Sequence, residues 1–321
     1  MIEYLLLLLG IIFLVKGADF LIEGSSSLAH RLNIPTIIIG LTIVAFGTSM
    51  PELFVSLIGA ARGETEIIFG NIIGSNISNI LLILGLTAFV HNIQVKRDTI
   101  WKEIPFALLG SVILLIVANK TLLDKVTTST LLRIDGIFLL LFLAIFIYYV
   151  YESAKRHRNH LKEKTIQIKE RKTSLSLLLI LVGLVGLYFG GEWTIKSAVT
   201  IAKQFGLSDF LIAATVIAIG TSLPELVTSI RAAQKHEIGL AIGNIVGSNI
   251  FNIFWILGIT SVIAPLAIPS FINADIIILI AATFLLFLFV FMRKDHTLTR
   301  IEGTIFILSY IAYIIFLIVR G

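Results

Sequence analysis

Long apolar runs broken by short polar stretches set the pattern of this chain. A bilayer core takes about 20 apolar residues per helix. Runs of that kind lie near 4–28, 35–60, 67–91, 104–118, 135–151, 174–202, 209–233, 240–264, 273–292 and 302–319, ten candidate spans in all. The fourth is the shortest. The first has the position of a signal peptide. However, Glu3 precedes its apolar stretch where a basic region would stand, and no small-x-small site clearly closes it, so a retained span is expected. The fold class read from this pattern is an all-α polytopic membrane protein.

Composition supports the pattern. Of 321 residues, 57% are hydrophobic and 14% charged, against about 45–50% and about 25% in soluble domains. A soluble core could not absorb that much apolar surface. Disulfide scaffolds, disordered chains and ordinary cytosolic enzymes are excluded. The absence of cysteine also removes thiolate metal sites and cysteine nucleophiles. The net charge of +5 is not evidence for nucleic acid, because basic loops are expected on the cytoplasmic side of a membrane protein. With ten spans, 17 Lys and Arg lie on the side opposite the N-terminus and six on the N-terminal side. The positive-inside rule then places both termini outside and the basic loop 152–173 in the cytoplasm of a plasma-membrane protein. The loop reads first as a topology determinant, with a regulatory or lipid-headgroup role as the alternative.

The chain also repeats itself. Shifted by 173 residues, Gly40–Thr87 lies over Ala213–Thr260 without a gap, with 24 of 48 positions identical. Gly17-Ala18-Asp19-Phe20 falls over Gly190-Gly191-Glu192-Trp193. Residues 1–151 and 174–321 are therefore two five-span units. Five being odd, the second enters the membrane in the opposite sense, an inverted-topology repeat of the kind secondary transporters use.

Polar residues inside the spans mark the chemistry. The first unit carries Gly47-Thr48-Ser49-Met50-Pro51-Glu52, the second Gly220-Thr221-Ser222-Leu223-Pro224-Glu225. Proline removes a backbone donor and glycine eases the deviation, so each motif predicts a broken helix with freed carbonyls beside a carboxylate. A second motif pair runs Gly70-Asn71-Ile72-Ile73-Gly74-Ser75-Asn76-Ile77-Ser78-Asn79 and Gly243-Asn244-Ile245-Val246-Gly247-Ser248-Asn249-Ile250-Phe251-Asn252. Ser75 and Asn79 share a helix face, as do Ser248 and Asn252. Asn76-Ile77-Ser78 fits a glycosylation sequon but lies within a span. Together these groups are two carboxylates with amide, hydroxyl and carbonyl oxygens, and no His or Met. That set suits hard cations. Two carboxylates balance one Ca²⁺, which takes about 6–8 oxygens in flexible geometry. Mg²⁺ ranks lower, and Na⁺ can use the same oxygens in separate subsites. For Asn71, Asn76, Asn244 and Asn249, interhelical glue is as good a reading as ligation.

These motifs resemble the alpha repeats of the sodium/calcium exchangers, within the cation/calcium antiporter superfamily, and the resemblance covers nearly the whole chain. It looks like a compact prokaryotic member. The resemblance implies that Glu52 and Glu225 ligate calcium, that oxygens near Thr48, Ser49, Thr221 and Ser222 are ion ligands, and that Ser75 and Ser248 match sodium-site serines. It implies carbonyl donors at Ala45 and Ala218, and central polar positions at Asn79 and Asn252. Some archaeal members and the potassium-dependent branch have Asp where this chain has Asn252, so potassium co-transport and proton linkage through that residue are not expected. The resemblance further implies a rigid four-helix core past which spans one and six slide. Those spans carry Gly10, Gly17 and Gly24, and Gly183, Gly186, Gly190 and Gly191. Asp19 and Glu192 sit on them at equivalent positions and are expected to pair locally with Lys16 and Lys196 rather than to bind ions.

The expected function is secondary active antiport, in which Na⁺ entry drives Ca²⁺ out by alternating access. Proton-coupled or potassium-dependent calcium exchange is the alternative within the same fold. A cation channel or an intramembrane enzyme is the alternative from another class. An enzyme is disfavoured because the six histidines are scattered over span ends and loops. Ca²⁺, Na⁺ and the lipid bilayer are the partners, no cofactor is called for, and a monomer suffices.

Overall fold

A computed structural model describes residues 2–120, 129–160, 171–205, 220–269 and 271–320. It is built from helices. In chain order they are α1 (Ile2–Leu32), α2 (Thr36–Thr48), α3 (Met50–Arg62), α4 (Thr65–Val90), α5 (Thr99–Ala118), α6 (Arg133–His160), α7 (Thr173–Gln204), α8 (Leu223–Gln234), α9 (Ile238–Ile263), α10 (Ile272–Met292) and α11 (Arg300–Arg320). Eight of these are long and apolar enough to cross a bilayer. The pair α2–α3, bent by 42°, makes nine among the described residues. The expected span 209–233 falls partly outside them, with α8 as its described portion, and the 161–170 portion of the basic loop lies outside too.

Burial sorts the helices into layers. The most apolar windows of α4 and α9 are 72% and 83% buried, those of the other single spans 28–39%. The sequence explains the difference. α4 and α9 carry Gly, Ser and Asn among Ile residues, so neighbours can pack on every side. The outer helices present Leu8, Phe138, Leu141, Leu181 and Ile311 outward, where lipid takes the place of protein. α1 and α7 have 31 and 32 residues, longer than the roughly 20 that cross a bilayer upright, which calls for tilt.

Two small antiparallel pairs tie the halves together. Strand β1 (Ile93–Gln94) pairs with β4 (Thr297–Leu298), with Ile93 opposite Leu298. Strand β2 (Thr130–Leu131) pairs with β3 (Leu266–Ala267), with Leu131 opposite Leu266. Each pair joins one strand from each half.

α1 and α7 lie antiparallel in close contact. A Cβ on Gly17 would meet the Gly183 carbonyl at 2.8 Å, and one on Gly190 would meet the Gly10 carbonyl at 2.8 Å. Backbone touches backbone along this seam, so the two helices form one body.

Two local features go beyond the sequence pattern. The helix break sits at Ser49 and Ser222, both near φ −84° in the bridge region (−82° and −86°), rather than at the prolines. Pro51 and Pro224 instead occupy the first turn of α3 and α8, where a missing N–H leaves no bond unmade. Wide π-helical turns span Ser78–Leu84 in α4 and Phe251–Leu257 in α9. Such turns are rare and frequent at functional sites. They open one residue before Asn79 and Asn252.

Candidate ion-binding site

Glu52 and Glu225 stand in the first turns of α3 and α8, where the positive end of the helix dipole favours a negative charge. Both are 1% exposed. Their side chains join one cluster of hydroxyl groups drawn from both halves. Ser49 is the residue before α3, three positions before Glu52, yet it does not cap its own helix. Its Oγ donates across to Glu225 Oε1 at 3.1 Å. Ser248 donates to the same oxygen at 3.3 Å, and Ser75 donates to Glu52 Oε1 at 3.3 Å. Thr221 lies 3.5 Å from the Ser75 hydroxyl. Ser49 therefore reaches across to the carboxylate of the other half, while Ser75 and Ser248 each serve the carboxylate of their own half and Thr221 meets the Ser75 hydroxyl.

The other oxygen of each carboxylate is left over. Glu52 Oε2, Glu225 Oε2, Asn79 Oδ1, Asn252 Oδ1 and Ser222 Oγ are buried and have no hydrogen-bond partner. Four of the five are pure acceptors, two from each half. Leaving such atoms unpaired in a dry interior is costly, and one species that relieves all of them is a cation. Among the described residues no three His, Asp or Glu side chains converge. A cation here would be held by two carboxylates and neutral oxygens.

The asparagines divide by role. Asn76 donates to the Asn249 carbonyl at 3.3 Å, and Asn249 to the Asn76 carbonyl at 3.4 Å. Their side-chain oxygens accept from Asn252 and Asn79, both at 2.9 Å. Asn244 gives its amide to the Glu225 carbonyl and to Ser229, and accepts from Thr48 at 2.9 Å. Asn71 donates to the Glu52 carbonyl and to Ser56. Asn76, Asn249 and Asn244 are thus occupied as glue, and Asn79 and Asn252 keep a free oxygen.

The Ala45 carbonyl already accepts from the Ser49 N–H at 3.1 Å and the Thr48 hydroxyl at 3.4 Å. It has less free capacity than the break motif suggests. Ala218 lies outside the described residues. A cavity of about 530 Å³ lined by Glu66, Asn71, Ser75, Thr221, Asp275 and Arg320 reaches the cluster.

Two expectations need correction. Glu192 pairs with Lys196 at 2.6 Å as expected, but Asp19 does not pair with Lys16. It takes Arg231 at 2.7 Å and Lys235 at 2.8 Å, because α1 lies against α8, whose last turn carries Arg231 and which Lys235 directly follows. The histidines are not all isolated either. His91 and His236 bring their rings to 5.1 Å at helix ends far apart in sequence.

Comparison with known proteins adds the following. A family model described as sodium/calcium exchanger protein matches residues 2–152 and 175–319. CaxA of Alkalimonas amylolytica is 38% identical over 314 residues, 95% of each chain. The sodium/calcium exchanger MaX1 of Methanosarcina acetivorans is 28% identical over 348 aligned positions, 98% of each chain. Among solved structures, the sodium-calcium exchanger NCX_Mj soaked with Na⁺ and Ca²⁺ superposes with a TM-score of 0.79 at 32% identity, covering 98% of both chains.

Proposed function

This chain belongs to the sodium/calcium exchanger family, and we propose that it exchanges Na⁺ for Ca²⁺ at the oxygen cluster around Glu52 and Glu225. The observation that carries the site is the set of four unpartnered buried acceptors, Glu52 Oε2, Glu225 Oε2, Asn79 Oδ1 and Asn252 Oδ1. Two carboxylates neutralise one Ca²⁺, and the amide and hydroxyl oxygens fill its coordination without further charge. Na⁺ takes overlapping oxygens, with Ser75 and Ser248 beside the carboxylates as its subsites and Thr48, Ser49, Thr221 and Ser222 on the breaks. Overlap makes the ions compete, and competition is what couples their fluxes.

The empty carrier is held back by the same electrostatics. Two facing carboxylates without a cation are expensive to enclose in a low-dielectric core. The core therefore closes over the site only when Ca²⁺ or Na⁺ supplies the charge. Exchange then needs no separate device to prevent slippage.

For the architecture, we propose ten spans in two inverted five-helix repeats, with the span at 209–233 as the repeat counterpart of the one at 35–60. Both termini lie outside and loop 152–173 in the cytoplasm. The 173-residue self-match and the 17-to-six division of basic residues support this reading. Na⁺ entry then drives Ca²⁺ out, and a monomer contains a complete site.

The test is calcium uptake into sodium-loaded proteoliposomes with external sodium varied. Uptake that requires an outward sodium gradient and vanishes when external sodium matches internal is the expected result. Uptake indifferent to sodium but driven by a pH gradient would transfer the coupling to protons.

A further inference from the structure

Asp19 lies in α1, outside the ion cluster, yet it makes the densest ion-pair contact between the α1–α7 body and the core. Arg231 Nε and Nη2 reach Asp19 Oδ1 at 3.1 and 2.7 Å, and Nη2 also reaches Oδ2 at 3.0 Å. Lys235 adds a fourth contact at 2.8 Å. One helical turn or two further along α1, Ser26 hydrogen-bonds Glu237, just before α9. With the topology proposed above, all of this lies toward the cytoplasmic face.

The 173-residue shift sends Asp19 to Glu192, Lys235 to Arg62 and Arg231 to Ile58. Charge is conserved at the two positions that could pair, Glu192 on α7 and Arg62 on the last turn of α3. In this structure they do not meet. Glu192 holds Lys196 within its own helix, and Arg62 is exposed with no ion pair among the described residues. Between α7 and the α2–α3 break lies instead an apolar groove of about 480 Å³, lined by Phe46, Pro51, Phe54, Leu184 and Tyr188. α1 is pinned to α8 while α7 stands off from α3.

We propose that Asp19 with Arg231 and Lys235 is a latch that holds the sliding α1–α7 body closed over the inner face, and that Glu192 with Arg62 is its counterpart at the outer face in the opposite-facing state. The proposal rests on the inverted-repeat reading above. In such a repeat the opposite state gives α7 the relation to α3 that α1 now has to α8, which carries Glu192 to Arg62. Because α1 and α7 touch backbone to backbone, closing one latch opens the other. The inner latch has two cations and the outer one, since Ile58 replaces Arg231. The inner-closed state is therefore the favoured one. These five are positioning residues. They touch no transported ion and act through the body they tether.

The chain has no cysteine, so a single Thr228→Cys reports on the inner face. Thr228 is 1% exposed on α8, between Glu225 and Arg231, with its hydroxyl unpartnered. In inside-out vesicles an impermeant maleimide should label Thr228→Cys slowly. Adding Asp19→Asn or Arg231→Gln should speed labelling about fivefold, as expected for a partly buried bidentate pair. Glu192→Gln or Arg62→Gln should slow it. Exchanging the charges, Asp19→Arg with Arg231→Asp, should return the slow rate. Unchanged labelling in Asp19→Asn overturns the latch. So does faster labelling in Glu192→Gln, which would mean general loosening. Labelling requires no ion exchange, so loss of sodium-driven calcium flux in the unmodified chain would count against the exchange reading and leave this test intact.

Discussion

Asn252 donates its side-chain amide to Asn76 Oδ1 at 2.9 Å, and through that bond the two halves of the chain orient one another. A side-chain amide has one donor end and one acceptor end. With the NH₂ held by Asn76, the oxygen of Asn252 is turned the other way and has no partner. Asn79 repeats the arrangement against Asn249. Asn76 and Asn249 therefore orient the two amides whose oxygens stay unpaired. Replacing Asn76 by Ala removes the acceptor that fixes Asn252 and one buried bond to the Asn249 carbonyl. The expected loss is about 1–2 kcal/mol, read as a rise of roughly tenfold in the KM for calcium. The sodium-to-calcium ratio should stay unchanged, which flux measurements over a calcium series would reveal.

The carboxylates make a harsher prediction. Glu52→Gln keeps shape and removes one of the two charges that balance Ca²⁺. Breaking a buried ion pair costs about 3–5 kcal/mol, roughly two to three orders of magnitude in affinity. Glu52→Gln and Glu225→Gln should each abolish calcium binding, measured by titration calorimetry in detergent. The double variant should unfold no earlier than the parent in ion-free buffer, because a repelling pair has been removed. Calcium should cease to raise its Tm. Normal exchange by Glu52→Gln would refute the site.

Much of this was legible in the sequence. Apolar runs placed most of the described helices to within about five residues, since span length is set by the bilayer rather than by distant contacts, though α6 runs to His160, well past the expected end at 151. The self-match singled out Glu52 and Glu225. What the pattern could not resolve was direction within a motif. Proline in Pro51-Glu52 points to a break, but the chain turns at Ser49, two residues earlier, because Pro51 is well placed inside a first turn. Ser75 and Asn79 sit four apart, and apolar periodicity gave no sign of the wide turn that begins at Ser78 between them. Asn76 and Asn79 carry the same side chain, and only their partners across the interface separate the holder from the held. Asp19 was misassigned to Lys16 because helical spacing sees neighbours on one helix and misses α8.

Packing between α1 and α7 gives a prediction about stability. A Cβ on Gly183 would lie 2.6 Å from the Leu21 nitrogen and 2.8 Å from the Gly17 carbonyl, both backbone atoms that cannot rotate away. Gly183→Val should force the helices apart and destabilise by about 1–3 kcal/mol, seen as a lower Tm in detergent. Gly191→Ala is the control. Its nearest neighbours are side-chain atoms of Pro224 at 3.8 Å and beyond, so it should leave the Tm unchanged.

Asn at both central positions makes a prediction about which ions are needed. The cluster holds two negative charges, from Glu52 and Glu225, and the centre contributes amides that neither ionise nor take up a proton. A third, monovalent cargo cation would raise the charge above what the site balances. Replacing potassium by choline on both sides should therefore leave sodium-driven calcium flux unaltered. Asn252→Asp adds a carboxylate where Asn76 now accepts an amide, and two acceptors would face each other unless the new group carries a proton. Its occupancy then depends on pH. The variant should show a calcium KM that depends on pH more steeply than the parent's, falling as pH rises and the new carboxyl ionises beside the cation. A flat profile in the variant, or strict potassium dependence in the parent, would mean that the amides do not set the charge of the site.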